Sequence, residues 1–516
     1  MRTIPLRHHR DTTMPDFRHI FLLISFLSIP SYWTYANVVP APLFADHMVL
    51  QRGVPIHIWG KAAPAETISV TFRDDTRAVS ADDIGLWSVY LPPASAGGPF
   101  ELTVKGNNTV VLRDVMIGDV WLDSGQSNME FALRDVLNGA AEVASADHPK
   151  IRLMHVTRRV SSFPEADAEV RAWEVCSPRT AAGFSAVAYF FARELEGKLA
   201  IPIGLIDASW GGTPVEAWMS LRALSSSAQF MPAFALWSQM NEDYTARMLR
   251  REKKVKDWQE ADVRARAEGK EPPPPLPWEP NLENSWMPAG LYNAMIAPLT
   301  SYPIAGVIWY QGESNTSPER APLYAPMFQT MIRDWRSAWE IGEFPFLFVQ
   351  LANFKTGPTD MWPEVREAQL QTLGIANTAM AVTIDIGDPL DIHPRNKQEV
   401  GRRLALAARA IAYGEAIEYS GPIFRMAAPE GGAMRLWFDH AEGGLEARGG
   451  TLKGFEIAGI DRKFVPANAR IENGSVVVSS ASIQQPVYVR YGWADSPECN
   501  LYNKKGLPAS PFRTGE

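Results

Sequence analysis

The chain has 516 residues, 46% hydrophobic and 21% charged, which is the composition of a globular protein rather than a disordered or fibrous one. That length exceeds one ordinary core, so about two to four domains are expected. A net charge of −8 gives no chain-wide basic footprint for nucleic acid, and two cysteines with no C-x-x-C and no histidine pair at ligand spacing argue against a zinc site.

Taken in order, Arg2, Arg7, Arg10 and Arg18 precede the apolar run Ile20-Phe-Leu-Leu-Ile-Ser-Phe-Leu-Ser-Ile29, and Thr34-Tyr-Ala36 ends it with small residues. This resembles a secretory signal peptide over residues 1–36, with Met14 as an internal start. The run is short for a membrane span, and a retained anchor is the competing reading. The protein released by cleavage is expected to be secreted or periplasmic, with no stable membrane insertion. An exported location permits a Cys176–Cys499 disulfide but does not specify one.

Residues 37–112 hold short alternating runs, Ile56-His-Ile-Trp59, Thr67-Ile-Ser-Val-Thr-Phe72, Trp87-Ser-Val-Tyr-Leu91 and Phe100-Glu-Leu-Thr-Val104, separated by turn formers. Regular short strands of this kind predict a small β-sandwich-like unit. From residue 113 to 412 the pattern becomes strands alternating with helices. Buried strands are expected at residues 115–122, 151–156, 203–207, 304–310, 344–350 and 380–385, with helical spacing at 184–199, 323–339 and 400–411. Near-continuous apolar strands between helices imply a parallel sheet covered on both faces. Residues 237–284 interrupt this pattern with a charged helical stretch and the proline run 272–275, which reads as an exposed insertion; a lid is the functional alternative. Short alternating strands return in residues 413–516 as a second β-rich unit.

Four loops at predicted strand ends carry chemistry, and in open α/β sheets that is the end where ligands bind. Ser124-Gly-Gln-Ser-Asn128 puts Ser127 on a tight turn suited to a nucleophile, although Met129 replaces the second glycine of a G-x-S-x-G elbow. A turn serine bonding its own backbone is the plainer alternative. Asp207-Ala-Ser-Trp-Gly-Gly-Thr213 offers backbone N–H groups suited to an oxyanion hole. Trp309-Tyr-Gln-Gly-Glu-Ser-Asn315 offers side-chain amides at Gln311 or Asn315 and an acceptor at Glu313. In Asp385-Ile-Gly-Asp-Pro-Leu-Asp-Ile-His-Pro394, His393 is the candidate general base, with Asp391 two residues before it to hold the imidazole. Trp210, Trp218, Trp286, Trp309 and Trp362 are candidate sugar platforms, each with core packing as its ordinary use. Asp123, a charge at the end of a buried strand, has no assigned role.

The chain resembles the SGNH-type hydrolases, and within them the sialate O-acetylesterase-like carbohydrate esterases. The matching residues are Met48-Val-Leu-Gln51, Gly118-Asp-Val-Trp-Leu122 with Ser124-Gly-Gln-Ser-Asn-Met129, and residues 204–218. They continue with Ile308-Trp-Tyr-Gln-Gly-Glu-Ser-Asn315, Ile392-His-Pro-Arg-Asn-Lys-Gln398, Tyr491-Gly-Trp-Ala494 and residues 500–513. The resemblance implies a flavodoxin-like three-layer α/β domain that deacetylates O-acetylated sugars without metal or cofactor. Carried over by position, Ser127 is the nucleophile, His393 the base, and the N–H groups of Ser127 and Gly212 with the Gln311 amide form the oxyanion hole. Many SGNH enzymes carry Asp three residues before the histidine, but Leu390 stands there. Asp391 is the expected acid, with Asp388, Glu313 or a bare dyad as rivals. Acetylated sialic acid and acetylated xylan or xyloglucan all fit as substrates; an inactive carbohydrate-binding protein is the alternative of another class.

Overall fold

The apolar stretch ahead of Ser127 forms a single strand, β1 (Thr109–Gly125), 17 residues long and buried from Val115 onward. It is seen in a computed structural model that describes residues 37–242, 244–274, 276 and 285–515. The expected leader, residues 1–36, lies outside the described residues. The first half of β1 pairs antiparallel with Gly97–Lys105 and parallel with Val49–Gln51. Its second half pairs with strands on either side in the α/β region. The boundary expected between residues 112 and 113 therefore falls inside one continuous strand.

The central path of the sheet adds β2 (His148–His155), β3 (Glu174–Cys176), β4 (Ile203–Ser209), β5 (Gly306–Tyr310), β6 (Phe346–Val349) and β7 (Thr378–Ala381). Their spatial order is β3-β2-β4-β1-β5-β6-β7, parallel throughout except for β3. Successive side chains leave opposite faces, and each face has its own core. Trp121, Leu205, Ile308, Tyr310, Leu347 and Val349 pack under α1 (Ala186–Leu199) and the later helix Lys397–Ile411. Val120, Leu122, Ile206, Val307, Trp309 and Phe348 pack with Phe328, Met331 and Trp335 of the helix Ala321–Trp339. Each large apolar side chain buried this way contributes about 1.5–3 kcal/mol.

In the charged insertion, α2 spans Tyr244–Ala267 and carries the i,i+4 pairs Lys253–Asp257 and Asp262–Arg266 on a largely exposed surface. The Trp258 indole donates to the Pro274 carbonyl at 2.7 Å, which holds the proline-rich return against the helix. Further on, α3 (Ala321–Trp339), α4 (Trp362–Gln371) and α5 (Lys397–Ile411) complete the helices used below. Gly401 lets α5 close onto α1; a Cβ there would lie 2.6 Å from Phe190 Cβ. Beyond α5, two four-stranded sheets and a two-stranded ladder share a separate core that includes Leu436, Ile457, Val476, Val489 and Phe512. Cys176 and Cys499 are free thiols, not a disulfide. Among the described residues, no helix is long and apolar enough to cross a membrane.

Register explains the lone acid of the sequence. It sets Asp123 opposite Asp207, and Asp207 opposite His155, in one row across β1, β4 and β2. Asp207 interacts with His155 Nδ1 at 3.0 Å and accepts from Ser209 Oγ at 2.5 Å. Asp123 is fully buried, and among the described residues neither of its carboxyl oxygens has a hydrogen-bond partner. Burial, then the adjacent Asp207 carboxylate, pushes its carboxyl well above the usual range. A raised carboxyl gives stability that is complete below the ordinary carboxylate range and is lost as pH rises through the raised value. Asp123→Asn supplies a neutral donor of the same shape. It is expected to raise the melting temperature at about pH 8 and leave it near wild type at about pH 4. Equal shifts at both pH values in thermal denaturation would exclude a raised carboxyl.

Candidate active site

The chain leaves β1 through Gly125, at a φ of +133° that favours glycine, where a Cβ would come within 2.2 Å of the Tyr310 carbonyl oxygen. Gln126 N–H donates to that carbonyl at 3.0 Å, and Trp210 N–H donates to the Gly125 carbonyl at 3.0 Å. The turn is thereby tied to the ends of both neighbouring strands. A single helical turn, Ser127–Glu130, follows, with Ser127 as its first residue.

The histidine arrives from the far side of the site. The loop between β7 and α5 is anchored near its start by Arg403, which pairs with Asp385 at 2.7 Å. At its end Asn396 caps α5 by accepting from Glu399 N–H at 3.2 Å. Between these ties, His393 Nε2 lies 2.9 Å from Ser127 Oγ across 266 residues of sequence. Burial, and then the Lys397 ammonium, lowers the imidazole below its ordinary range, while Asp391 opposes the shift. The ring is therefore neutral near pH 7 and able to accept a proton.

The three carboxylates considered for the third position are placed differently. Asp391 Oδ1 lies 3.8 Å from His393 Nδ1, beyond hydrogen-bond reach, and accepts the His393 backbone N–H at 2.9 Å. Asp388 accepts from Leu390 N–H at 2.8 Å. Glu313 accepts from the Asn128 amide at 2.5 Å. Among the described residues no carboxylate hydrogen-bonds Nδ1, and of these three Asp391 is the one that reaches the ring's vicinity.

Ser127 and His393 open on a cavity of about 630 Å³ lined also by Gln126, Glu130, Trp210, Gly212 and Trp286. Gly211 N–H is taken by Glu130 Oε2 at 2.6 Å, and Glu130 Oε1 pairs with Arg158 at 2.6 Å. The Trp286 indole donates to the Gly212 carbonyl at 2.6 Å, which fixes that peptide. Neither Ser127 N–H nor Gly212 N–H donates to a protein acceptor among the described residues.

Gln311 is not brought into the cavity. Its side chain is fully buried and its amide donates to Thr213 O at 3.1 Å and Asn315 Oδ1 at 2.7 Å, so both N–H groups are engaged. Asn315 is likewise buried, donating to Glu216 Oε2 at 3.0 Å. The amide that does line the cavity is Gln126. Its Oε1 accepts from Gly312 N–H and Ser314 N–H, each at 3.3 Å, which turns the NH₂ away from them and leaves it without an acceptor among the described residues. The only signal for it in sequence was its place next to Ser127. Of the five candidate platforms, Trp210 and Trp286 line the cavity. Trp218, Trp309 and Trp362 are core side chains at 0–3% exposure, the packing use rather than the platform. No group of three or more His, Cys, Asp or Glu among the described residues is arranged to hold a metal.

Comparison with known proteins gives one consistent picture. The family described as carbohydrate esterase, sialic acid-specific acetylesterase, matches residues 279–410. The sialate O-acetylesterase of Mus musculus is 32% identical over 523 residues, covering 90% of this chain and 92% of that protein. That of Homo sapiens is 31% identical, covering 90% of each. The crystal structure of a carbohydrate acetylesterase from Xanthomonas citri superposes with a TM-score of 0.80 at 39% identity, covering 93% of this chain and 99% of that one.

The electrostatics of the ring yield a direct test. The His393 imidazole is expected to titrate below the ordinary histidine value of about 6.5. NMR of the ring protons, with His393→Gln for assignment, measures this; a midpoint at or above that value would contradict the burial and lysine effects described here.

Proposed function

The chain belongs to the sialate O-acetylesterase family of carbohydrate esterases, and from that premise we propose that Ser127 and His393 are the nucleophile and general base of its site. The protein is a carboxylic ester hydrolase that removes O-acetyl groups from sugars. The observation carrying the site reading is the 2.9 Å approach of Ser127 Oγ to His393 Nε2 at a cavity with two unengaged backbone N–H groups.

In this reading Ser127 Oγ attacks the acetyl carbonyl as His393 Nε2 takes its proton. The oxyanion is received by the N–H groups of Ser127 and Gly212, with the Gln126 amide as third donor in place of Gln311. Collapse breaks the ester C–O bond, and the sugar oxygen leaves with the proton from Nε2. Water then attacks the acetyl-enzyme, its proton passing to His393 and on to Ser127 Oγ as acetate departs. Asp391, the nearest carboxylate, acts on the imidazolium as a through-space charge, making the centre closer to a dyad than to a hydrogen-bonded triad.

With β2, at one edge of the parallel strands, set aside, the order β4-β1-β5-β6-β7 reads 2-1-3-4-5 in sequence, which supports the flavodoxin-like, three-layer SGNH arrangement with its ligand crevice between β1 and β5. The antiparallel sheets before and after it support flanking β-sandwich-like units, with residues 37–112, 113–412 and 413–516 as the working division. The charged N-terminal pattern supports export to the periplasm or the exterior. For substrate, Trp210 and Trp286 are suited to carry sugar rings, and Arg158, the more exposed of two cavity-lining arginines, is the cation suited to a sialate carboxylate.

Acetate release from 9-O-acetyl sialic acid, acetylated xylan and acetylated xyloglucan oligosaccharides tests reaction and substrate together. Ser127→Ala is expected to abolish release while keeping the wild-type melting temperature; near-normal turnover would remove Ser127 from the mechanism. Gln126→Ala is expected to lower kcat about 100-fold, the effect of losing one oxyanion donor. A change in KM alone would make Gln126 a binding residue.

A further inference from the structure

Beneath the Ser127–His393 pair lies a charged group to which no step of the reaction assigns a role. Lys397 opens α5 four residues after His393 and is fully buried. A lysine in that position is costly unless its ammonium is matched. Its Nζ donates to Asn128 Oδ1 and sits 5.0 Å from the centre of the Phe131 ring and 5.2 Å from that of Tyr310. Because Oδ1 is held by the lysine, the Asn128 amide must point the other way. Its Nδ2 donates to Glu313 Oε1 at 2.5 Å and to the Ile392 carbonyl at 2.9 Å. Asn128 follows the nucleophile and Ile392 precedes the base, so this amide joins the two segments that must stay in register for the 2.9 Å Ser–His contact.

We propose that Lys397 is a positioning residue for the esterase reaction: it orients Asn128 to clamp the His393 loop onto the Ser127 turn, and its ammonium sets a positive charge behind the base. The inference rests on the reading of Ser127 and His393 given above. The groups facing His393 are Ser127 from the turn, Asp391 from its own loop and Lys397 from α5. Those facing Lys397 are Asn128, Glu313, Phe131, Tyr310 and, more distantly, Asp391. Asp391 draws a proton onto the ring and Lys397 resists it. Burial pushes Lys397 itself down to about 7, so it is charged in the acidic range where the imidazole would otherwise protonate. The sign follows: removing the charge raises the ring's proton affinity, and the base is lost at a higher pH.

The experiment is kcat and kcat/KM for p-nitrophenyl acetate across pH, on the full chain, for wild type, Lys397→Met, Lys397→Arg and Asn128→Ala, with thermal melts. Lys397→Met is expected to move the acid limb up by about half a pH unit or more and to lower kcat about tenfold. Lys397→Arg is expected to return the limb toward wild type, since the charge is restored. Asn128→Ala, which breaks the clamp and keeps the ammonium, is expected to lower kcat with the limb unmoved. A folded Lys397→Met enzyme with the wild-type limb overturns the proposal. Should that variant fail to fold, an Asn128→Ala enzyme with wild-type kcat overturns it equally. Ser127→Ala and His393→Ala separate the two levels. Turnover in either would remove the site reading and this inference with it; inactivity in both, beside an unshifted Lys397→Met profile, would remove the inference alone.

Discussion

The backbone ladder along both edges of β1 is the constraint on which the rest depends. Parallel neighbours β4 and β5 run beside its second half in fixed register, with Gly125 opposite Ser209 on one side and Tyr310 on the other. All three chains therefore emerge at the same edge and must turn there. Because β4 and β5 depart to opposite sides of β1, their loops separate and leave a crevice between them. The nucleophile turn, the Gly-Gly loop and the Gln-Gly-Glu loop meet at this edge for topological reasons before any side chain is considered. The absence of a Cβ at Gly125 then lets the turn sit against the Tyr310 carbonyl.

Polar groups behind the crevice show how the same residue types divide between chemistry and support. Gln311, Asn315, Thr213 and Glu216 bond to one another below the cavity floor and hold two loops together. Left unpaired at that depth, each would cost about 1–3 kcal/mol, so mutual satisfaction is their first requirement. Gln126 and Gly212, at the surface of the same floor, have hydrogen-bonding capacity left over. The distinction is one of engagement: Gln126 is nearly as buried as the four below it but lines the cavity with a donor left over.

Buried ionisable groups occupy two places near the end of β1. Lys397 and Glu313 share Asn128 close to His393, whereas Asp123 lies beside Asp207 within the sheet itself, where burial favours its protonated form. The first lies where it acts on the imidazole; the second touches no group of the site.

Much of this was legible in the residues. Alternating apolar strands and amphipathic helices reported a covered parallel sheet, since burial on two faces demands continuous apolar strands. Glycine and small polar residues at strand ends marked the loops, and Ser127, Gly212 and His393 stood out as candidates because turn chemistry and proton affinity are properties of residue type; the structure brings all three to one cavity. The sequence did not distinguish Gln126 from Gln311, Trp286 from Trp309, or a pairing Asp391 from one 3.8 Å away. Nor did it show that β1 would run through the supposed domain boundary, or that Lys397 would lie beneath the base. Those outcomes depend on depth below the surface and on which atoms are already engaged. Both are set by contacts between segments up to 269 positions apart, as Asn128 and Lys397 are, which local pattern cannot encode and only the packed tertiary structure decides.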